Sequence, residues 1–437
     1  MAHPYPRRVP GVVDTGGMSR FLLAWEMGAG LGHVDRLLVW ARELRRRGHE
    51  VLFALRDLAP AHARLGAEGF TALAAPCWLH PPRDAPRLGN HAAVLAAAGW
   101  LEPEGLAGLV CAWRALLQLS RCDVLLTDHA PTAVLAARGQ GLPVWAVGTS
   151  FECPPPAPFF PPMHYWDPRE YERCPMYDHP LLVRANQALQ SLGDSPLPRL
   201  SALYDGVGRA LASFPELLHY DGHGAESPVV GPVFVVDRGA TPRWPDEGDG
   251  PRVFVHVHHD HPALPALLAA LAQRGWPAIA YLHGGRLAPG QPGSTGSLRL
   301  ETRPLHLGQV LRDADLVVSH AGIGTVSAAL LAGKCQLLLP AQTEQRMLAR
   351  RAAAGGLALA LEHGSAGPAD LGQALDRLRD DPALASTVGE LARRYHGLTP
   401  ERVAERLVDL LQAGVPPTAQ GAGAAAGRPG PGRSGMH

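Results

Sequence analysis

Short apolar runs alternate with longer stretches of helical periodicity along most of the chain. The run at 21–26 predicts a buried strand, and 33–47 predicts the helix that follows it. Apolar residues of this helix recur at the i, i+3, i+4, i+7 spacing of one helix face, at Val34, Leu37, Leu38, Ala41 and Leu44. Gly48 ends the helix, and 51–55 predicts the second strand. Strands and helices in alternation indicate parallel sheets with crossover helices.

The same alternation continues to position 412. Further strands of the first half are predicted at 123–127, 144–147 and 229–236. In the second half the predicted strands are 253–257, 278–282, 315–319 and 336–339. The predicted helices there are 262–273, 307–312, 325–331, 344–354 and 400–412. We therefore predict an α/β protein with a parallel sheet in each half.

A chain of 437 residues exceeds what one hydrophobic core usually supports, which predicts two domains. The Pro-, Gly- and acid-rich segment 241–251 is the expected linker between an N-terminal domain at 20–240 and a C-terminal domain at 252–399. We expect a terminal helix at 400–414 that can pack back on the first domain. Residues 1–19 and 415–437 lack apolar periodicity, so we expect a flexible leader and a disordered tail.

Charge and composition exclude several partners. Forty basic residues balance forty acidic ones, and no polybasic run appears, so we expect no nucleic acid and no anionic membrane surface as a partner. No apolar stretch approaches the ~20 residues that span a bilayer, which argues against stable membrane insertion. The six cysteines are scattered, without a C-x-x-C pair. We expect free thiols and a cytoplasmic location.

A glycine-rich turn between a strand and a helix is the strongest candidate for a binding site. The predicted strand 315–319 runs into His320-Ala-Gly-Ile-Gly-Thr325, where a helix opens. This geometry points backbone N–H groups and the positive end of a helix at one spot, and Gly322 and Gly324 let a diphosphate approach the backbone. His320 adds an N–H donor, and Thr325 can cap the helix and offer its hydroxyl. The alternative is a turn that needs glycine only for tightness.

The segment that follows supplies a second candidate. The next predicted helix is preceded by Ala341-Gln-Thr-Glu344-Gln345, at the mouth of the same sheet. The Glu344 carboxylate and the Gln345 amide can bind vicinal hydroxyls. The alternative for both residues is capping of the helix N-terminus, where glutamate is favourable.

Residues 320–345, HAGIGTVSAALLAGKCQLLLPAQTEQ, resemble the donor-binding signature of the UDP-glycosyltransferase superfamily. The resemblance implies the GT-B fold, in which two Rossmann-like domains face each other across a cleft. It also implies a UDP- or dTDP-sugar as co-substrate, with no cofactor. The diphosphate would be held by His320, Gly322, Ile323, Gly324 and Thr325, and the donor sugar by Glu344 and Gln345. One position departs from the family, because Ala328, with Ser327 beside it, replaces the usual ribose-binding glutamate.

The first glycine-rich loop, Gly28-Ala-Gly-Leu-Gly32, leads directly into His33. As a dinucleotide fingerprint it fails, because His33 occupies the third glycine position. It resembles instead the first loop of the same glycosyltransferases, whose histidine deprotonates the acceptor hydroxyl. Asp128, at the end of a predicted strand, matches the aspartate that orients this histidine. The alternatives are a packing or capping role for His33 and a strand-end cap for Asp128.

The run His256-Val-His-His-Asp-His261 has the composition of a metal site. Because the same strand end would lie beside the donor phosphates, we expect these rings to supply N–H donors, and we expect no metal. Together these expectations describe an inverting, metal-independent glycosyltransferase acting on a hydroxyl of a small-molecule acceptor. The alternatives are a GT-B sugar-nucleotide epimerase and a catalytically degenerate nucleotide-sugar-binding protein.

Overall fold

The structure is a computed structural model that describes residues 17–28, 30–80, 89–285, 294–362 and 367–414. The predicted tail at 415–437 lies outside the described residues, as does the predicted leader up to residue 16.

Within these ranges, the first half holds a six-stranded parallel sheet of order β3-β2-β1-β4-β5-β6. Its strands are β1 Arg20–Trp25, β2 Glu50–Leu55, β3 Thr71–Ala74, β4 Val124–Thr127, β5 Val144–Gly148 and β6 Gly208–Leu211. The helices are α1 Gly32–Arg46, α2 Leu58–Gly66, α3 Ala92–Ala97, α4 Pro103–Ser120, α5 Pro131–Ala137 and α6 Pro168–Ser191. Two 3₁₀ helices, Leu200–Tyr204 and Pro215–Leu217, flank β6.

The second half, over the described residues, holds a seven-stranded sheet of order β13-β12-β11-β7-β8-β10-β9, in which only β9 is antiparallel. Its strands are β7 Val253–His258, β8 Ala278–His283, β9 Ser294–Thr295, β10 Leu298–Glu301, β11 Leu316–Ser319, β12 Cys335–Leu338 and β13 Leu359–Ala360. The helices are α7 Leu264–Arg274, α8 Leu307–Asp313, α9 Ile323–Leu331, α10 Thr343–Ala354, α11 Pro368–Asp380, α12 Pro382–Arg394 and α13 Pro400–Ala413.

The strands of both sheets are buried on two faces, which explains their continuous apolar runs. In β1, Phe21, Leu23 and Trp25 enter one hydrophobic cluster, whereas Leu22 and Ala24 enter another on the opposite face. Burial on both faces is typical of parallel sheets covered by helices. The predicted α/β architecture, with a largely parallel sheet in each half, is therefore confirmed.

One predicted strand, at 229–236, is wrong. Only Val229 forms a bridge there, to Leu211, and the chain then runs extended without a sheet partner. Pro232 has no N–H to donate, and Gly231, at a φ of +116°, has left the strand conformation. The strand that completes the first sheet is β6, whose short Gly-Arg-Ala-Leu sequence carries little hydrophobic signal.

The extended segment after Val229 connects the two halves. Val230 lies in a cluster of the first half, whereas Phe234 and Val236 pack against a cluster of the second half. The chain therefore passes from one core to the other over only a few residues.

The last helix, α13, returns to the first half and packs on α1. Its apolar face joins the cluster formed by α1 and one face of the first sheet, through Val403, Ala404, Leu407, Val408 and Leu411. Arg47, next to the end of α1, donates to Asp409 and to Gln412, both at 2.7 Å. Because α13 follows the second half in sequence, this contact fastens the two halves together.

Among the helices of the described residues, none is both long and apolar enough to cross a lipid bilayer.

We expect Leu407→Ala to destabilise the first half, because Leu407 is completely buried in the cluster between α1 and α13. Deleting a buried leucine side chain typically costs roughly 2–5 kcal/mol. Urea denaturation followed by tryptophan fluorescence measures the change. The matched control is Leu119→Ala, since Leu119 is 82% exposed on α4 and should change stability by less than about 0.5 kcal/mol. Equal effects of the two substitutions would contradict a packing role for α13.

Candidate active site

The carboxyl edge of the first sheet presents His33 from the first turn of α1. The imidazole stacks on the indole of Trp25, with ring centroids 5.5 Å apart and an interplanar angle of 17°. Gly28 lies directly beneath the ring, at a φ of +88°. A Cβ at this position would lie 2.6 Å from Nε2 of His33. Glycine is therefore required at position 28 both for the backbone conformation and for the approach of the imidazole.

Asp128, which follows β4, is the hydrogen-bond partner of His33. It has no exposed surface, and its backbone N–H donates to the carbonyl oxygen of Ala24 at 2.8 Å. Its Oδ1 lies 3.0 Å from Nδ1 of His33. Because an ionised carboxylate only accepts hydrogen bonds, Nδ1 carries the proton and Nε2 keeps a lone pair. The structure thus brings together the two residues that the sequence analysis assigned to one cleft.

A buried arginine that the sequence analysis missed shares Asp128 with His33. Arg36 donates from Nε to Oδ2 and from Nη2 to Oδ1 of this carboxylate, at 2.7 Å in each case. Burial acts to raise the pKa of Asp128, but the nearby charge of Arg36 and the contact with His33 outweigh it, so the pKa is lowered. The carboxylate therefore stays ionised. Arg36 follows His33 by three residues, the spacing of one helix face, and that spacing could have revealed it.

A second carboxylate, also missed from the sequence, lies on the other side of Arg36. Oε1 of Glu152 is 3.4 Å from Nη2 of Arg36, and Oε2 accepts a hydrogen bond from the hydroxyl of Thr149. Burial acts to raise the pKa of Glu152, but Arg36 and the neighbouring histidines lower it far below its usual range. His129 is also buried here, and burial lowers its pKa to about 4. The cleft floor therefore combines two carboxylates with one guanidinium.

In the second half, β11 runs into the predicted glycine-rich turn. Ala321 adopts a left-handed conformation with a φ of +65°, and α9 begins at Ile323 with Gly322 as its N-cap. No side chain of the described residues caps this helix. The first N–H groups of a helix lack intrahelical partners, so those of Ile323, Gly324 and Thr325 remain available at the positive end of the helix dipole. This arrangement is an anion-binding geometry.

The side chains around the turn are arranged differently from the sequence-based expectation. Thr325 does not cap the helix, because its hydroxyl lies 2.8 Å from Nδ1 of His256. Nδ1 of His320 lies 3.1 Å from the carbonyl oxygen of His256, an atom that can only accept. The ring N–H of His320 is therefore used within the protein, and in the neutral ring Nε2 carries a lone pair. Burial, reinforced by His283, lowers the pKa of His320 to about 4.

Nε2 of His320 lies close to the turn itself. A Cβ at Gly322 would be only 2.8 Å from this atom, whereas a Cβ at Gly324 would meet nothing closer than Phe234, at 3.8 Å. Gly322 therefore makes room for the imidazole. No contact among the described residues requires a glycine at position 324.

Of the predicted histidine run 256–261, His256 contacts residues of the glycine-rich turn. His261 is a packing residue, because its Nε2 lies 2.9 Å from the carbonyl oxygen of Leu339 and its Nδ1 accepts from the N–H of Ala263 at 3.2 Å. His256 is joined instead by His283 and His320, which come from the ends of two neighbouring strands. The histidines that lie together therefore come from three neighbouring strands of the sheet and not from the consecutive run 256–261.

The two predicted sugar-binding residues stand at the start of α10. The side-chain oxygen of Gln345 accepts from the backbone N–H groups of Ala341, at 3.0 Å, and Gln342, at 3.2 Å. The capping alternative therefore applies to this oxygen, and only the NH₂ group remains for a ligand. Oε1 of Glu344 lies 3.1 Å from Nε2 of His219, a residue of the first half that the sequence analysis missed.

Ser150 orients the ring of His219 and favours one tautomer. The hydroxyl oxygen of Ser150 accepts from the backbone N–H of His219 at 2.6 Å and lies 3.0 Å from its Nδ1. The Ser150 hydroxyl can then donate to Nδ1, which leaves the ring proton on Nε2 for Glu344. Since Glu344 and His219 are 125 residues apart, only the fold brings them together.

Ala328, at the position of the family's ribose-binding glutamate, lines a cavity of about 580 Å³ between the two halves. Other walls come from Val39 and Arg42 of α1 and from Phe234 of the connecting segment. Ser327 has no exposed surface, and its hydroxyl finds no partner among the described residues. Ser327 therefore points away from the cavity and does not replace the glutamate.

Comparison with known proteins agrees with this geometry. Residues 295–410 match the family of erythromycin biosynthesis protein CIII-like C-terminal domains. The chain is 28% identical over 373 residues to demethyllactenocin mycarosyltransferase of Streptomyces fradiae, an alignment that covers 79% of this chain and 76% of the relative.

Solved structures share the whole architecture. The calicheamicin glycosyltransferase CalG4 superimposes with a TM-score of 0.67 at 21% identity, covering 90% of this chain and 98% of that one. The glycosyltransferase VinC, in complex with dTDP, gives a TM-score of 0.64 at 18% identity, covering 90% and 100%. At these identities the structures establish the fold, which is GT-B, while the mycarosyltransferase and the family match establish the kind of enzyme. The chain is therefore a glycosyltransferase with the GT-B fold.

Proposed function

We propose that the protein moves a sugar from a UDP- or dTDP-sugar to a hydroxyl of a small-molecule acceptor, with inversion at the anomeric carbon. The observation that carries the proposal is the buried hydrogen bond of 3.0 Å between Nδ1 of His33 and Asp128. This bond fixes the tautomer that a general base requires. The dTDP in the VinC structure supports a donor of the nucleoside diphosphate class.

His33 acts as the base in this reaction. The acceptor oxygen forms its bond to the anomeric carbon while the bond from that carbon to the phosphate oxygen breaks. Nε2 of His33 takes the acceptor proton, and the nucleoside diphosphate leaves with the electron pair. The carboxylates of Asp128, which has no exposed surface, and of Glu152, whose side chain is 9% exposed, stabilise the imidazolium that forms. A single displacement of this kind inverts the anomeric configuration.

The turn at 320–325 binds the diphosphate and stabilises its departure. The free N–H groups of Ile323, Gly324 and Thr325 and the positive end of α9 face the developing negative charge. Nε2 of His320 adds a further donor once the ring has taken up a proton from solution as the nucleotide binds. In this proposal no cation is needed at the leaving group.

Glu344 and Gln345 bind the donor sugar, each through the one polar group that has no partner among the described residues. Gln345 keeps its NH₂ group, because its oxygen caps α10. Glu344 keeps one carboxylate oxygen, because the other is bound by His219. The two residues therefore offer one donor group and one acceptor atom to the sugar hydroxyls.

We expect His33→Ala to lower kcat by about 10²–10⁴-fold, the usual contribution of a general base, and to leave the affinity for the donor unchanged. Turnover is measured by LC–MS with the best pair from a panel of UDP- and dTDP-sugars and hydroxylated acceptors, and donor affinity by calorimetry. His396→Ala, at an exposed position after α12, is the control and should behave like wild type.

Near-wild-type turnover in His33→Ala would remove this residue from the mechanism. Conversion of the donor to an epimer without any acceptor, followed by NMR, would replace the proposed transfer with epimerisation.

Binding of UDP or dTDP should take up a proton at pH 7. Free His320 has a pKa of about 4 and is neutral, so it must gain a proton before Nε2 can donate to phosphate. Its pKa is therefore higher in the complex, and affinity rises as the pH falls through that higher value and declines above it. Calorimetry in two buffers with different ionisation enthalpies measures the uptake.

The His320→Ala variant is the control for this measurement, because it reports the protons taken up by the terminal phosphate of the ligand itself. The proton uptake of the wild-type protein should exceed that of the variant. Identical proton uptake in the two proteins would show that His320 does not donate to the diphosphate.

Gly324→Ala should stabilise the fold and weaken donor binding. A Cβ at this position has space within the protein, and alanine favours a helix over glycine by about 1 kcal/mol. In the complex the same Cβ would meet the diphosphate, so we expect the affinity for UDP or dTDP to fall by about tenfold or more. Thermal unfolding and calorimetry measure the two effects.

The matched control is Gly389→Ala in the middle of α12, which makes the same change in helix propensity away from the turn. It should raise stability without altering nucleotide affinity. If Gly324→Ala also binds nucleotide normally, the diphosphate does not approach this turn as proposed.

A further inference from the structure

Three histidines from neighbouring strands converge beside the turn. His256 belongs to β7, His283 ends β8, and His320 directly follows β11. Each offers a ring nitrogen, and the three nitrogens lie within 4.8 Å of one another. The ring centroids are mutually 5.0–5.3 Å apart. Such a triangle has the size of a metal site, because ligand nitrogens in a tetrahedral zinc site are roughly 3.4 Å apart when the bonds are ~2.0–2.1 Å.

We propose that His256, His283 and His320 form a binding site for a divalent metal ion of the zinc class. The proposal goes beyond sugar transfer, because the proposed reaction uses no cation.

The second ring nitrogens support this assignment. In metal sites a ligating histidine usually donates its other ring N–H to a carbonyl or a hydroxyl, which fixes the ring and leaves the free lone pair for the metal. Nδ1 of His320 faces the carbonyl oxygen of His256 at 3.1 Å, and Nδ1 of His256 faces the hydroxyl of Thr325 at 2.8 Å. His320 therefore has the lone pair of Nε2 available, and His256 has it when its Nδ1 donates to the Thr325 hydroxyl, the tautomer that a bound ion would select.

His283 supplies the third ligand. Its Nδ1 is buried and has no hydrogen-bond partner among the described residues. A buried polar atom without a partner is costly, and a bound ion would satisfy it. This ligand could not be found from the histidine run in the sequence, because β8 is brought beside β7 only by the sheet.

The ligand set selects the kind of ion. Three imidazoles without a carboxylate suit Zn²⁺, Co²⁺, Ni²⁺ or Cu²⁺ and do not suit Mg²⁺ or Ca²⁺, which prefer oxygen. A fourth position remains open, as in zinc sites that bind water or an exchangeable ligand. Two rival groups fit less well. His258, His259 and Asp260 are more exposed, and His258 already pairs with Asp260. His33 and Glu152 of the group His33, His129 and Glu152 lie against the Arg36 guanidinium, whose positive charge opposes a cation.

Occupation by an ion excludes the proposed diphosphate contact. The ion uses the lone pair of Nε2 of His320, whereas donation to a phosphate requires a proton on the same atom. Metal and nucleotide should therefore compete for His320.

The test is a Co²⁺ titration of the full chain, prepared without a histidine tag and without nucleotide. Four-coordinate Co²⁺ has a strong visible absorption, and we expect one such site per chain, with Zn²⁺ displacing the cobalt. His283→Ala and His283→Gln should each lower the Co²⁺ affinity by about 100-fold or more, since even changes outside the ligand shell cost ~10–100-fold. Two variants are used so that a folding defect in one, detected by circular dichroism, does not decide the result.

The control is His259→Ala, which removes a histidine of the more exposed rival group and should leave Co²⁺ binding unchanged. Wild-type affinity in both folded His283 variants would overturn the proposal, as would loss of binding in His259→Ala.

Adding UDP or dTDP to the cobalt-loaded protein should discharge the visible band. If the nucleotide binds and the band persists, the ion and the diphosphate do not share His320. Because the cobalt titration contains no nucleotide, a failure of the proposed donor binding leaves its outcome unaffected.

Discussion

Burial of the Asp128 carboxylate is the constraint on which the arrangement of the first half depends. A carboxylate without exposed surface is costly unless opposite charge and hydrogen bonds compensate it. Both come from α1, through the paired hydrogen bonds of Arg36 and the single one of His33. The polar face of α1 is thereby fixed against β4, while its apolar face packs on the sheet and on α13. His33 is therefore oriented by the hydrogen bond through which it helps to compensate the buried Asp128 carboxylate.

The two halves share one backbone arrangement at the end of a central strand, but they place different groups there, a carboxylate in the first half and uncapped N–H groups in the second. In the first half, β4 pairs with β1 and is followed by Asp128 and then by His129 in a left-handed conformation, at a φ of +56°. In the second half, β11 pairs with β7 and is followed by His320 and then by Ala321, also left-handed, at a φ of +65°. The N–H of each key residue donates to the neighbouring strand, to Ala24 and to His256 respectively. The first half fills this position with its own anion. The second leaves the first N–H groups of α9 without a capping side chain, the geometry that the proposed function assigns to the diphosphate.

Hydrophobic periodicity predicted most of the strands, because burial on both sheet faces leaves long apolar runs in the sequence, but fewer than half of the helices. It failed where a strand is short and weakly apolar, as in β6, and where valines around Gly231 pack between domains without pairing. The turn at 320–325 was visible because its chemistry is local. Glu152, His219 and His283 were not, because each acquires its role only through contacts with residues of another strand or domain. Arg36 was missed although its spacing from His33 places both residues on one face of α1.

Under the proposed function, the contact between Glu344 and His219 links sugar recognition to the position of the two halves. His219 is completely buried in the first half, and Ser150 holds its ring so that Nε2 donates across the cleft. A carboxylate oxygen that accepts this bond has less capacity for a sugar hydroxyl. A donor that needs both oxygens of Glu344 must therefore displace His219, and the loss of that bond would weaken the contact between the halves. A donor that needs one oxygen leaves the contact intact. Under the proposed function, the hydroxyl pattern of the sugar thus decides whether the cleft keeps its present width during binding.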